Sequence, residues 1–167
     1  MREIILLATG LCIWMGFPGT AAASCSPLST CSCRVSATSF QFGVYNPLRS
    51  APTDSTGNIQ VNCSAGPGAT SLSYEIRLSA GDAGSYQSRQ LAGPGGSIVT
   101  YNLYTDAART QIWGDGSGTT SVVTGDFPVL LPSSNVQNHP VYGRMPAQQM
   151  EVISGGYADS ILITVIY

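Results

Sequence analysis

The chain contains no lysine, and its 167 residues include only seven basic and nine acidic side chains. The arginines are scattered singly along the sequence. Nucleic acids and anionic membranes bind clustered positive charge, so neither is an expected partner. A surface rich in Ser, Thr, Asn, Gln and Gly instead suits a protein that is covered by neighbours or stands in the extracellular medium.

Histidine is equally scarce, since His139 is the only one. It lies between Asn138 and Pro140, in a loop-like context without a nearby G-x-S-x-G motif. We interpret it as an exposed loop histidine and predict that the protein is not an enzyme. A secreted hydrolase built around His139 is the alternative.

No cofactor or metal ion is expected. Residues 31–33 (CSC) could bind a soft metal as thiolates, but disulfides are the default in an oxidising compartment. Residues 114–118 (GDGSG) lack the spaced acids and terminal glutamate of a calcium-binding EF-hand. We interpret them as a hairpin loop.

Long apolar runs are also missing after the N-terminus. Residues 1–23 have the pattern of a signal peptide: Arg2, an apolar stretch over residues 4–17, and three alanines before Ser24. Later segments are too short for a membrane-spanning helix. We expect a mature, secreted chain from Ser24 with no membrane insertion after cleavage. A retained anchor is the alternative, because Glu3 offsets the charge of Arg2.

Four cysteines remain in the mature chain, an even number behind an export signal: Cys25, Cys31, Cys33 and Cys63. Disulfides follow from that context. Three pairings are possible, and the sequence alone does not choose among them. We favour Cys33–Cys63 with Cys25–Cys31, because Cys33 begins one strand-like segment and Cys63 ends the next.

Period-two alternation recurs along the chain and predicts an all-β fold. In residues 72–79 the apolar side chains alternate with polar ones that would face water, among them Glu75 and Arg77. Ile59, Val61 and Cys63 alternate in the same way. Further strands are expected at residues 98–104, 35–42, 121–124 and 129–131, with one helical turn near residues 106–109. Short strands between turn signals are typical of a sandwich or barrel.

The last predicted strand, residues 158–167, is apolar on both faces. Ile161, Ile163, Val165 and Tyr167 fall on one face, while Leu162 and Ile166 make the other apolar too. Such a strand at an unpaired sheet edge would promote association with other chains. We expect it to be covered by another segment of this chain or by another chain.

Several segments together resemble a known family. They occur in a fixed order: residues 33–38 (CRVSAT), 42–47 (FGVYNP), 57–63 (GNIQVNC), 89–91 (RQL), 101–109 (YNLYTDAAR), 142–146 (YGRMP) and 156–159 (GYAD). In this order they resemble the spore coat protein U domain, the family to which subunits of archaic chaperone-usher (Csu-type) pili are related. We expect three regions: the signal peptide at 1–23, a cysteine-containing segment at 24–32 and the domain at 33–167.

The resemblance implies an immunoglobulin-like antiparallel β-sandwich that lacks its final strand. It also implies pairing of Cys33 with Cys63. Such a subunit crosses the periplasm to the cell surface or an extracellular fibre. It is built into a spore coat, or is assembled with other pilus subunits by a periplasmic chaperone and an outer-membrane usher. A strand from another chain would then fill a groove, to which we assign Ile161, Ile163, Val165 and Tyr167. A closed sandwich, in which these four are ordinary core residues, is the alternative.

The segment at residues 24–32 departs from the pilus pattern. A subunit that donates a strand carries an alternating apolar segment ahead of the first family cysteine, whereas this one offers Leu28, a proline and two extra cysteines. The alternative function is therefore a single-domain tip cap or adhesin that accepts a strand without donating one.

Overall fold

The computed structural model describes residues 31–65, 71–127 and 135–167. Two antiparallel sheets built from eight strands account for its regular structure: β1 (Cys31–Ala37), β2 (Thr53–Ala65), β3 (Leu72–Leu78), β4 (Arg89–Ala92), β5 (Ile98–Tyr104), β6 (Val123–Phe127), β7 (Asn135–Met145) and β8 (Ile163–Ile166). A short 3-10 turn, Pro94–Gly96, joins β4 to β5. Within the described residues, no helix is long and apolar enough to span a membrane.

Within the described residues the two sheets differ in width. One has five strands in the order β1-β2-β7-β5-β4, and the other has three in the order β6-β3-β8. β1 and β8 are therefore edge strands of different sheets, and they contact each other along one side of the sandwich. The all-β sandwich that the sequence predicts is confirmed.

The core lies between the inward faces of these sheets. β2 contributes Ile59, Val61 and Cys63, all at most 2% exposed, as their alternation predicts. β3 contributes Leu72, Tyr74, Ile76 and Leu78 on the opposing side. Strand periodicity places these side chains on one face, and their burial supplies the hydrophobic contribution to folding.

Some local predictions are wrong. The segment at residues 35–42 is a strand only to Ala37, and Phe40 and Phe42 lie beyond it. Residues 106–109 form a hydrogen-bonded turn, in which the Arg109 N–H donates to the Asp106 carbonyl at 3.0 Å. Glu75, which was expected to face water, is only 9% exposed, because Arg77 on the same face of β3 forms an ion pair with it. The strand predicted at residues 129–131 lies outside the described residues.

Arg89, at the start of β4, is fully buried. Its guanidinium donates to the Ser79 carbonyl, the Trp113 carbonyl and Asn102 Oδ1, each at 2.7 Å. Burial lowers the pKa of this guanidinium from its usual value. Carbonyl oxygens accept hydrogen bonds from the buried guanidinium and so stabilise its charge. Through these bonds Arg89 connects β4 to β5, to the loop after β3 and to the loop before β6.

Replacing Arg89 with Met is expected to destabilise the domain by about 3 kcal/mol or more, because three buried acceptors lose their donor. Denaturant unfolding measures the change. Arg49→Met serves as the control, since Arg49 is exposed and should alter stability by about 0.5 kcal/mol at most. Equal effects of the two substitutions would contradict this role of Arg89.

Candidate functional site

An apolar groove opens between the sheets on the side where β1 and β8 meet. Its cavity measures about 90 Å³. The lining is mostly aliphatic and aromatic and comes from both sheets: Ala37, Thr38, Phe40, Phe42, Asn58, Ile59, Leu78, Leu91, Tyr101, Leu103, Val141, Asp159, Ile161 and Ile163. Apolar cavities of about 150 Å³ accommodate benzene, so this one has room for a single aliphatic side chain.

Phe40 and Phe42 form the outer wall of the groove. Their rings meet edge to face at 5.0 Å, and Phe42 meets Tyr101 in the same way at 5.7 Å. Phe40 lies directly over two glycines of the five-stranded sheet. A Cβ added at Gly143 would fall 2.4 Å from Phe40 Cζ, and one at Gly57 would fall 2.6 Å from Phe40 Cδ2. The absence of side chains on β2 and β7 at these points lets the wall approach the sheet.

The unpaired edge of β8 faces the groove side. The Ser79 N–H donates to the Leu162 carbonyl at 2.9 Å, and Arg77 pairs with Thr164 in the β3–β8 register. Backbone groups alternate between the two edges of a strand, so residues 162, 164 and 166 direct theirs at β3. The N–H and C=O groups of Ile163 and Val165 therefore point away from β3, to an edge that has no partner strand in the described part of the chain.

β1 has the same arrangement on its side of the groove. The Thr38 N–H donates to the Asn58 carbonyl at 3.1 Å, which sets the alternation along β1 against β2. Cys33, Val35 and Ala37 consequently direct their backbone groups to the outer edge of the five-stranded sheet. Two strand edges that have no partner strand among residues 31–65, 71–127 and 135–167 thus border one apolar groove.

The segment that leads into β8 is held by Asp159. Its Oδ2 accepts from the Tyr101 hydroxyl at 2.6 Å, and its Oδ1 accepts from the Asp82 and Ser160 N–H groups at 2.8 Å each. Burial, followed by the hydrogen bond to Asp159, raises the pKa of Tyr101, so the phenol remains a donor. Gly81, at φ +77°, is required beside this carboxylate, since a Cβ there would lie 2.3 Å from Asp159 Oδ2.

The four residues assigned to the groove from the sequence separate into two pairs. Ile161 and Ile163 line the groove and are 9% and 4% exposed. Val165 and Tyr167 are half-buried and pack against the core. On the opposite face of the strand Leu162 is 43% exposed, so the described residues do not fully cover that face, and cover by another chain stays a prediction. The regular strand, Ile163–Ile166, is also shorter than predicted.

Sequence reasoning missed Phe40, Phe42 and Asp159 as groove residues. Phe42 and Asp159 lie in the family-like segments at residues 42–47 and 156–159, whereas Phe40 lies in none of these segments. The spacing of the segments does not show which side of the sandwich they cover.

His139 is not a loop residue. It lies in β7, is 9% exposed, and places Nε2 2.7 Å from the Tyr74 hydroxyl oxygen. Its ring also meets the Tyr74 ring edge to face at 5.7 Å. The interpretation as an exposed histidine is therefore wrong, and its imidazole belongs to the contact between β7 and β3.

The Cys33–Cys63 disulfide is present and joins residues directly opposite each other on β1 and β2, with 4.1 Å between their Cα atoms. It excludes Cys33 as a thiolate metal ligand. Cys31 begins β1. Cys25 lies outside the described residues, so its pairing with Cys31 stays a prediction, as does the signal peptide at 1–23.

Comparisons with known proteins agree with this architecture. The profile of the Spore Coat Protein U domain family matches residues 19–164. This protein belongs to the Spore Coat Protein U domain family. A search of curated proteins finds no match.

Several solved structures are similar to this chain. One is the CsuC-CsuE chaperone–tip adhesion subunit pre-assembly complex from the archaic chaperone-usher Csu pili of Acinetobacter baumannii, with a TM-score of 0.51 and 16% identity over 83% of this chain. Another is a chaperone–tip adhesin complex of CFA/I fimbriae biogenesis, with a TM-score of 0.37 and 16% identity over 80% of this chain. The matched parts amount to 40% and 42% of those chains.

Removing the Cys33–Cys63 disulfide by a double substitution to serine is expected to destabilise the domain by about 3–4 kcal/mol. The bond closes a loop with a sequence separation of 30, and the chain-entropy model gives that value for such a loop. Unfolding in denaturant measures the loss. A change below about 1 kcal/mol would show that the β1–β2 pairing does not depend on the bond.

Proposed function

We propose that this protein is a non-enzymatic structural subunit of a surface fibre of the archaic chaperone-usher type, or of a spore coat. A strand supplied by another chain completes its sandwich. The groove between the free edges of β1 and β8 is the observation that carries this proposal, because a bound strand would gain backbone hydrogen bonds and apolar contacts together. Family membership supports it independently.

The partners follow from the route to the surface. We infer export through the periplasm, where a chaperone strand would occupy the groove, followed by passage through an outer-membrane usher and replacement by a strand of another subunit. The structures with a similar fold include a chaperone–subunit complex of Csu pili. A structural rather than catalytic role also fits the engagement of the single histidine in the core.

The groove itself predicts which strand can fill it. A strand inserted beside β1 or β8 would pair with their outward-directed backbone groups. One of its faces would then lie on the apolar core and the other would face water, so its side chains must alternate apolar and polar. Its apolar face would complete the contacts of half-buried Phe40, Phe42, Val165 and Tyr167.

Fusing an alternating valine–threonine segment after Tyr167 through a flexible Gly/Ser linker should raise the melting temperature by about 5 °C or more. The linker lets the segment return along the free edge of β8. The control fusion has the same composition with its valines grouped in one block, and it should give no increase.

Two substitutions on β1 assign the effect to the groove. Ala37→Trp fills the groove and should abolish the gain from the alternating fusion, whereas Ser36→Trp lies on the exposed face of β1 and should preserve it. Equal gains from both fusions, or from both Trp variants, would refute completion by an added strand.

A narrower role as an acceptor, such as a tip cap or adhesin, is favoured by the sequence of residues 24–32. With its cysteines changed to serine, this segment fused after Tyr167 should leave the melting temperature unchanged, because Pro27 cannot donate to a ladder and Leu28 is the one large aliphatic residue. Stabilisation equal to that of the valine–threonine fusion would show that the segment can act as a donor and would exclude the acceptor-only role.

A further inference from the structure

Exposed apolar side chains gather at one end of the sandwich. They lie on the segments at residues 43–49, 94–98 and 146–153, and their exposed fractions run from 46% at Ile98 to 95% at Val44. Soluble monomers rarely leave large apolar side chains exposed side by side unless the surface binds something. The residues, which we call the apolar patch, are Val44, Leu48, Ile98, Met150 and Ile153.

Three residues of the patch share one open depression. Ile98, Met150 and Ile153 line a space of about 530 Å³ beside the turn Pro94–Gly96. An apolar side chain from another molecule could enter this space and contact all three residues at once. The depression therefore gives the patch a shape as well as a composition.

The other two residues, Val44 and Leu48, lie on the adjoining loop. This loop is fixed to the residues that follow β7 by Tyr45. The Tyr45 hydroxyl donates to the Pro146 carbonyl at 2.8 Å and accepts from the Gln149 N–H at 3.0 Å. Val44 and Leu48 are therefore held at the same end of the molecule as the depression.

The backbone beneath the patch is held by side-chain hydrogen bonds. The Tyr157 hydroxyl donates to the Ile153 carbonyl at 2.7 Å and accepts from the Ile153 N–H at 2.9 Å. Gln149 Oε1 accepts from the Thr100 N–H at 2.7 Å, and its Nε2 donates to the Thr100 carbonyl at 3.0 Å. A partner that binds here has little backbone left to order, which reduces the entropic cost of binding.

The patch lies at the end of the sandwich opposite to the start of β1. β1 begins where β2 ends and β7 begins, and we call this end the β1 pole. β7 runs from there to Met145. Because β5 pairs Asn102 with Arg144 in antiparallel register, Ile98 lies beyond the end of β7. The patch therefore occupies the other end, the patch pole.

β8 runs from the patch pole towards the β1 pole. Ala158, which precedes β8, bridges to Ala92, and Ala92 is also the partner of Ile98. The chain thus enters β8 at the patch pole. It proceeds towards the start of β3, where the Tyr74 hydroxyl bonds to Gln137 near the start of β7.

A strand that completes the sandwich belongs beside β8. There it widens the three-stranded sheet and covers the open apolar face, whereas beside β1 it would widen the five-stranded sheet further. The strand pairs of both sheets are antiparallel, and antiparallel pairing is slightly the more stable kind. A strand antiparallel to β8 runs from the β1 pole to the patch pole, so the chain that continues from it emerges beside the apolar patch.

We propose that the apolar patch is the docking surface for the domain that follows the inserted strand in the donating chain, a second domain of this same fold. This inference rests on the proposed function. The donating domain begins with its own β1, so its β1 pole faces the patch of the acceptor. Such a contact joins different surfaces of two like domains, and heterologous contacts of this kind extend into fibres when they do not close into a ring.

Two donors that differ only in the place of the strand test this docking. Each is the chain from Ser24 with an alternating valine–threonine segment and a Gly/Ser linker, joined ahead of Ser24 in one donor and after Tyr167 in the other. Both carry Ala37→Trp, which fills the donor's own groove, or Ala37→Phe if the tryptophan variant does not fold. The acceptor is the unmodified chain from Ser24, and calorimetric titration gives each affinity.

The donor with the segment ahead of Ser24 should bind about tenfold more tightly than the free valine–threonine peptide, because its domain reaches the patch once the strand is inserted. The donor with the segment after Tyr167 places its domain at the β1 pole and should bind no more tightly than the peptide. Equal affinities of the two donors would overturn the proposed docking.

Substitutions in the acceptor assign the gain to the patch. Met150→Glu combined with Ile153→Glu should remove the tenfold gain and leave the affinity of the free peptide unchanged. Val136→Glu is the control, since Val136 is 46% exposed, like Ile98, but lies near the β1 pole, and it should keep the gain. A gain that survives in the patch variant, or that is lost equally in the control, would overturn the assignment.

The free peptide separates the two levels of the inference. Peptide binding without any gain from either donor would overturn docking on the patch and leave the proposed function standing. Absence of peptide binding to the unmodified acceptor would overturn both.

Discussion

The unequal width of the two sheets is the constraint on which the rest of the structure depends. The apolar face of a five-stranded sheet is wider than three strands can cover, and apolar surface left open to water is unfavourable. On the side of β1 and β8, Phe40 and Phe42 fold over Gly57 and Gly143 and cover part of this face. The groove is the part of this apolar face that Phe40 and Phe42 leave uncovered.

Polar groups hold the loops that pack beside β4. Arg89 gathers the carbonyls of Ser79 and Trp113 around one buried guanidinium, and the indole of Trp113 donates to the Ile76 carbonyl at 3.0 Å. A buried charge is tolerable only when it is well bonded, so these loops are held in one arrangement. The same contacts position β4, whose Leu91 lines the groove.

The sequence predicts some residues of this structure correctly and others wrongly. The alternation of Ile59, Val61 and Cys63 predicts β2 correctly, because a strand with one buried face has a simple period of two. His139 was misjudged because Pro140 follows it and proline cannot donate to a ladder.

The register explains why Pro140 is tolerated. Pro140 pairs with Asn58, whose backbone carbonyl is directed at β1, so the missing N–H of Pro140 faces away from β2. On that side β5 pairs with β7 only at residues 142–144. Whether a proline can lie within a strand therefore depends on how distant segments pair. The local sequence around Pro140 does not show this pairing. Phe40 and Phe42 were missed for the same reason, since what they cover is decided by two glycines far along the chain.

The composition of β8 connects the fold to the proposed function. Edge strands are normally protected by lysine, proline or inward-pointing charge, yet this chain has no lysine and residues 160–167 carry no charged side chain. Ile161 and Ile163 are already buried without an added strand, so a bound strand gains little from them. Its gain must come from the free N–H and C=O groups of β1 and β8 and from half-buried residues such as Phe40, Val165 and Tyr167. Backbone pairing would then supply most of the affinity, and the fit of side chains against this aromatic wall would select which strand is accepted.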